Sequence, residues 1–170
     1  MHALFLIAKE NFRDEELFEP QKILKTAGIE TTVTSVEDGM ATGSRGGSVK
    51  IDKPIKDIHM EDYDILILIG GPGSPALGDY EEVINLIKKA HSLAKPLAAI
   101  CIAPYLLAKA GVITGKKATS FPGEPAISEF IRKGVTRIQQ PVLTDGDLIT
   151  ADGPASAKDF GQEIIKLLSA

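Results

Sequence analysis

One residue in this chain can act as a strong nucleophile: Cys101, the only cysteine among 170 residues. It lies in "KPLAAICIAPYLLAKAG", residues 95–111. A short apolar strand, Leu97 to Ile100, runs into it, and a helical pattern from Ile102 to Ala110 follows, stopped by Gly111. A side chain at such a corner is lifted above the sheet on a tight turn. The helix N-terminus points unpaired N–H groups and partial positive charge at it, which favours thiolate over thiol. The backbone N–H of Ile102 is then available to hold an oxyanion. A second donor, Gly71, comes from the glycine loop "IGGPGS" (69–74), where missing Cβ atoms let the backbone come close to a bound group. Free cysteine is just as often a small buried hydrophobe, so position alone leaves the reactive and inert readings level.

The other groups that could move a proton are acids. "RDEELFEP" (13–20) places Asp14, Glu15 and Glu16 in the first helical turn after the first strand. Like charges and partial burial raise the pKa of one member of such a cluster, and a neutral carboxyl can donate a hydrogen bond to a thiolate or sulfinate. The bland alternative is that acids in a first turn complement the helix dipole, and that is the reading for Asp14 and Glu15. The three histidines, His2, His59 and His91, each precede a strand. They belong at the amino end of a parallel sheet, with Cys101 at the carboxyl end. A strand rising roughly 3.3 Å per residue keeps them more than about 10 Å from the thiol. A Cys–His dyad is thereby excluded within one subunit, and with it the usual base of cysteine hydrolysis. "GGPGSPA" carries a G-x-G-x-x-A outline (Gly71, Gly73, Ala76). It follows the wrong strand for a dinucleotide site and lacks the later acid. One cysteine and three scattered histidines make no zinc site; no metal and no cofactor is expected.

The elements that must position these groups alternate along the chain. Strands are expected at 2–8, 30–36, 63–70 and 97–100, with short ones in "KKATSFP", "VLTDG" and "DLITA", the last two forming a hairpin at "DGD". A hairpin at 40–52 turns at "SRGG". Helices are expected over 15–27, 79–94 and 102–110, and near 124–133 and 155–169. Apolar strands alternating with amphipathic helices imply parallel pairing with both faces covered. The expected fold class is α/β: a three-layer α/β/α sandwich of flavodoxin-like type, one domain over 1–170, with a mostly parallel sheet and a nucleophile elbow. In such sheets sites form beyond the carboxyl ends of the strands.

Bulk composition narrows the partners. Apolar residues make up 44% and charged residues 25%, with a net charge of -4 and a pI near 5.4. No basic patch argues for nucleic acid or an anionic membrane. The longest apolar runs, such as "ILILI" (65–69), fall far short of a membrane span. A single cysteine forms no internal disulfide and suits a reducing, cytoplasmic compartment.

Four segments, "LIGGPGS", "AAICIAP", "GKKATSFPG" and "LITADGPAS", stand in an order and register that resembles the DJ-1/PfpI superfamily over essentially the whole chain. The resemblance implies that Cys101 is the elbow nucleophile. It also implies that Glu16, by its spacing to Pro20, is the glutamate whose protonated carboxyl contacts that cysteine. It implies a homo-oligomer as well, with the cysteine near an interface. Departures stand beside the matches. Ile102 occupies the position where protease-like members carry histidine, and Phe121 that where DJ-1-like members carry one before a proline. Ala76 stands where protease-like members bring an acid from a neighbouring subunit, and Asp152 where an arginine is common. The first functional expectation is a redox-reactive cysteine oxidised to sulfenic and sulfinic acid. The second is a glyoxalase- or deglycase-like enzyme acting on small reactive carbonyls. A peptidase is disfavoured for want of a histidine, and a binding module with an inert cysteine is the remaining alternative. The partner is accordingly a small-molecule carbonyl or oxidant.

Overall fold

The computed structural model describes residues 1–170. Its main sheet has seven strands. In spatial order they are β11 (Val142–Asp145), β12 (Leu148–Ala151), β8 (Leu97–Ile100), β7 (Ile65–Leu68), β1 (His2–Leu6), β3 (Glu30–Ser35) and β6 (Lys53–Pro54). Every neighbouring pair is parallel except β11 with β12, the hairpin expected at "DGD".

Period-two alternation along the strands feeds two separate cores. Leu4, Leu6, Leu66, Leu68, Leu97 and Ala99 face one side. There they meet helices α2 (Glu81–Ser92), α3 (Pro104–Lys109) and α4 (Ala126–Arg132), through Val83, Leu86, Leu106, Leu107 and Phe130. Ala3, Phe5, Ile65, Ile67, Ala98 and Ile100 face the other side. They meet α1 (Asp14–Thr26) and α5 (Ala157–Ser169) through Leu17, Leu24, Phe160 and Ile164. Burial on both faces explains why β7 and β8 read as unbroken apolar runs. The three-layer, mostly parallel α/β/α architecture is the one the sequence implies.

Several short elements differ from the sequence reading. Helix α3 begins at Pro104, not Ile102, because residues 101–103 form a turn in which Ala103 N–H donates to the Ile100 carbonyl (3.1 Å). "KKATSFP" contributes only β9 (Lys117–Ala118), which pairs with β10 (Thr136–Arg137) in a separate two-stranded sheet. A third sheet joins β2 (Glu10–Phe12) to the expected hairpin of β4 (Met40–Gly43) and β5 (Ser48–Lys50). Strands β2, β6 and β10 carry too few residues to show a period.

This third sheet ties the start of α1 to the glycine loop. Asp14 accepts hydrogen bonds from the backbone N–H groups of Arg45 (2.9 Å) and Gly47 (2.6 Å) in the β4–β5 turn. Arg13 N–H donates to the Gly70 carbonyl (3.0 Å) and Gly73 N–H to the Asn11 carbonyl (3.0 Å). The approach is close enough that a Cβ on Gly73 would fall 1.9 Å from the Glu10 carbonyl oxygen. Gly111, by contrast, needs glycine only for its φ of 77°, with open space around it. Gly111→Ala should therefore cost roughly 1–2 kcal/mol. Gly73→Ala should cost more, because backbone must move. Chemical denaturation of both variants checks this; equal midpoints would contradict the close packing of β2 on the loop.

Candidate active site

Cys101 adopts φ 64°, the left-handed region that L residues with side chains rarely occupy. Two backbone hydrogen bonds hold it there: its N–H donates to the Ala151 carbonyl (2.9 Å) and its carbonyl accepts from Phe121 N–H (2.7 Å). Strain of this kind costs on the order of 1–3 kcal/mol and persists only where the surroundings enforce it. The side chain emerges half-buried at the carboxyl end of β8. No backbone carbonyl takes the N–H of either Gly71 or Ile102. Both point at the Cys101 sulfur and act to lower its pKa. The two expected donors thus converge on the thiol.

Glu16 lies in the first turn of α1 and is wholly buried, at 0% exposure. Its Oε2 accepts from Gly70 N–H at 2.9 Å, while Oε1 has no hydrogen bond of ordinary geometry. The group facing this carboxyl is the Cys101 thiol. Gly70 makes the approach possible, since a Cβ there would fall 2.6 Å from Glu16 Oε2 and 2.8 Å from Cys101 Cβ. Burial, the largest influence, pushes the Glu16 carboxyl up to about 7, against opposing pulls from the thiol, the Gly70 N–H and the Arg13 charge. Burial also pushes the Cys101 thiol up, to about 12, reinforced by the charge of ionised Glu16.

This corrects the expectation that the helix terminus yields a thiolate. Helix α3 has six residues and starts three positions after Cys101, so its dipole is weak there and desolvation wins. Burial opposes charge on either member of the pair, and a charge on Glu16 opposes one on sulfur. The other two acids are structural. Asp14 ties down the β4–β5 turn, as described, and Glu15 pairs with Arg13, whose Nε lies 2.7 Å from its Oε2.

Cys101, Glu16, Gly71 and Ile102 line a cavity of about 420 Å³. Its remaining walls are Arg13, Pro72, Pro75, Phe121, Glu124 and Pro154. No histidine reaches it. His2 Nε2 is 2.8 Å from Thr32 Oγ1 and the ring packs on Tyr63, with centroids 4.6 Å apart. His59 precedes a 3-10 turn and His91 lies near the end of α2. Asp152 accepts from the Ser156 hydroxyl (2.6 Å), and neither Asp152 nor Ala76 lines the cavity. No group of three or more His, Cys, Asp or Glu side chains comes together as a metal cage, and no helix is long and apolar enough to cross a membrane. A wider, more open groove between α1 and α5 is lined by neither cysteine nor histidine. Sequence reasoning passed over Arg13 and Glu124. The signal for Arg13 was its place directly before the acidic triplet; Glu124 reaches the site only through the turn after Phe121.

Two expectations follow. The folded state holds the Glu16 proton to about pH 7, whereas the unfolded chain releases it near 4.5. Stability from this group is therefore complete below about pH 4.5 and falls as pH rises through 7, by on the order of 3 kcal/mol. Glu16→Gln should remove that slope, so the variant gains on the parent between about pH 5 and 8. It should also speed Cys101 alkylation at mildly alkaline pH, while Asp14→Asn changes alkylation little. Equal gains in both variants would mean that only general charge matters. Second, Cys101→Gly should leave the denaturation midpoint nearly unchanged or raised, and Cys101→Val should lower it, since a β-branched residue tolerates φ near 64° poorly. A tolerated valine with a damaging glycine would mark an ordinary buried turn.

Comparison with known proteins places this chain in a family. The family model described as "DJ-1/PfpI family" matches residues 1–167. A deglycase of Pyrococcus horikoshii is 37% identical over 168 residues, covering 99% of both chains. Protein dj-1beta of Drosophila melanogaster is 34% identical over 149 residues, 86% of this chain and 79% of the relative. Among solved structures, a ThiJ/PfpI domain protein from Brachyspira murdochii superposes with a TM-score of 0.93 at 28% identity, over 99% of this chain and 96% of that one. The fold, the order of the motifs and the match from end to end agree: the chain belongs to the DJ-1/PfpI family.

Proposed function

We propose that the protein is a cysteine-dependent enzyme acting on small reactive carbonyls, of the glyoxalase or deglycase kind. The observation that carries this reading is a buried carboxyl with a pKa of about 7 facing the elbow thiol. A general base works best when its pKa lies near the working pH, so Glu16 fills the place that histidine takes in other cysteine enzymes. Ionised Glu16 accepts the S–H proton as sulfur bonds to the carbonyl carbon. The carbonyl electron pair moves to oxygen, and the N–H groups of Gly71 and Ile102 are placed to hold the resulting oxyanion. Neutral Glu16 then returns the proton to that oxygen, giving a hemithioacetal with no external oxidant or reductant. The deglycase names of the Pyrococcus relatives support the same class.

The redox reading rests on the same thiol, but a pKa of about 12 leaves little thiolate for peroxide at neutral pH. A peptidase of the protease-like kind would use a histidine beside the cysteine and an acid to orient it, and the cavity has Ile102 at the first position and no histidine on its walls. The deciding assay is loss of methylglyoxal. Cys101→Ala should abolish turnover, and Glu16→Gln should lower kcat by about 10²–10⁴-fold. Unchanged turnover in both variants excludes the mechanism. An intact mass after mild peroxide separates the redox alternative: a gain of two oxygens confined to Cys101, without methylglyoxal turnover, would favour it.

A further inference from the structure

Arg13 is the one cationic side chain on the cavity wall, and the mechanism above does not use it. Its backbone N–H is fastened to the Gly70 carbonyl (3.0 Å), directly beside the Gly71 donor, so its placement is tied to the loop that faces sulfur. A Cβ on Gly71 would lie 2.4 Å from Arg13 N, which shows how tightly the two segments are seated. Glu15 grips one edge of the guanidinium, with Nε donating to Oε2 (2.7 Å) and Nη2 to Oε1 (3.3 Å). The Nη1 end of the fork carries no partner, and the charge is close enough to act on both Glu16 and Cys101. Glu124, a further acid on the cavity wall, is engaged with Ser128: its Oε2 accepts from the Ser128 hydroxyl (2.6 Å) and backbone N–H (3.1 Å).

We infer that Arg13 is a specificity-determining residue that selects aldehydes carrying a carboxylate next to the reacting carbon. This rests on the carbonyl reading of the site. A planar guanidinium edge matches a carboxylate and anchors it more strongly than it would a neutral carbonyl. Sulfur adds to the aldehyde carbon, the S–H proton passes to the new hydroxyl through Glu16, and the carboxylate stays on Arg13 unchanged.

The test compares glyoxylate with glyoxal, which differ chiefly by that carboxylate, as reversible protectants of Cys101 against iodoacetamide. The readout is the ratio of their half-protecting concentrations within each variant, in which general damage to the fold cancels. In the parent, glyoxylate should protect at a concentration about tenfold or more below glyoxal, the scale of a hydrogen bond between charged groups. Arg13→Met should erase that preference and Arg13→Lys should retain part of it. Equal protection by both aldehydes in the parent, or a preference that survives in Arg13→Met, overturns the assignment. Protection by neither aldehyde defeats the carbonyl reading itself, and this inference with it.

Discussion

A carboxyl sealed from water and set against a thiol is the constraint around which the site end of this sheet is arranged. Glu16 has one firm hydrogen bond, from Gly70 N–H, and beyond it only the sulfur of Cys101. Neither group is comfortable charged at this depth, because burial raises both pKa values. The neighbouring features answer to that pair. Gly70 lacks the Cβ that would separate them, and the left-handed turn at Cys101 aims sulfur back at the carboxyl. Helix α1 starts where the third sheet and Asp14 hold it, which brings its first turn beneath the glycine loop.

Chemistry at such a site is governed by where one proton sits. With Glu16 ionised, its charge holds the thiol protonated; with Glu16 neutral, that opposition disappears and its proton can be donated instead. A carboxyl near 7 moves between these states at ordinary cellular pH, so it can take a proton during sulfur attack and return it afterwards. Arg13 draws the carboxyl pKa down and Glu15 weakly raises it, so the charge pair at the rim tunes the base from outside. The apolar walls of Pro72, Pro75, Phe121 and Pro154 keep the cavity poor in competing donors.

The layered fold was legible because period-two strands and period-3.6 helices write their buried faces into the sequence. β7, β8 and α2 show this most clearly. The elbow was legible from the abrupt change at Cys101, and the histidines could be set aside by asking which end of the sheet each strand start occupies. The short strands β2 and β10 were not legible, since they are created by partners distant in sequence. The thiol's ionisation was misjudged for a related reason. A helix terminus is visible locally, whereas the desolvation that outweighs it comes from the whole packed environment around Cys101 and Glu16. The role of Asp14 likewise depends on a turn about thirty residues away, at Arg45 and Gly47.

The most direct test of the coupled pair is a carbon NMR titration of the Glu16 side-chain carboxyl in the intact protein, repeated in Cys101→Ala. The account predicts a midpoint near 7 in the parent. It predicts that removing the thiol moves the midpoint up, because the thiol's hydrogen bond to the carboxylate is lost. A midpoint near the ordinary carboxyl value of 4.5, unmoved by the loss of sulfur, would contradict it.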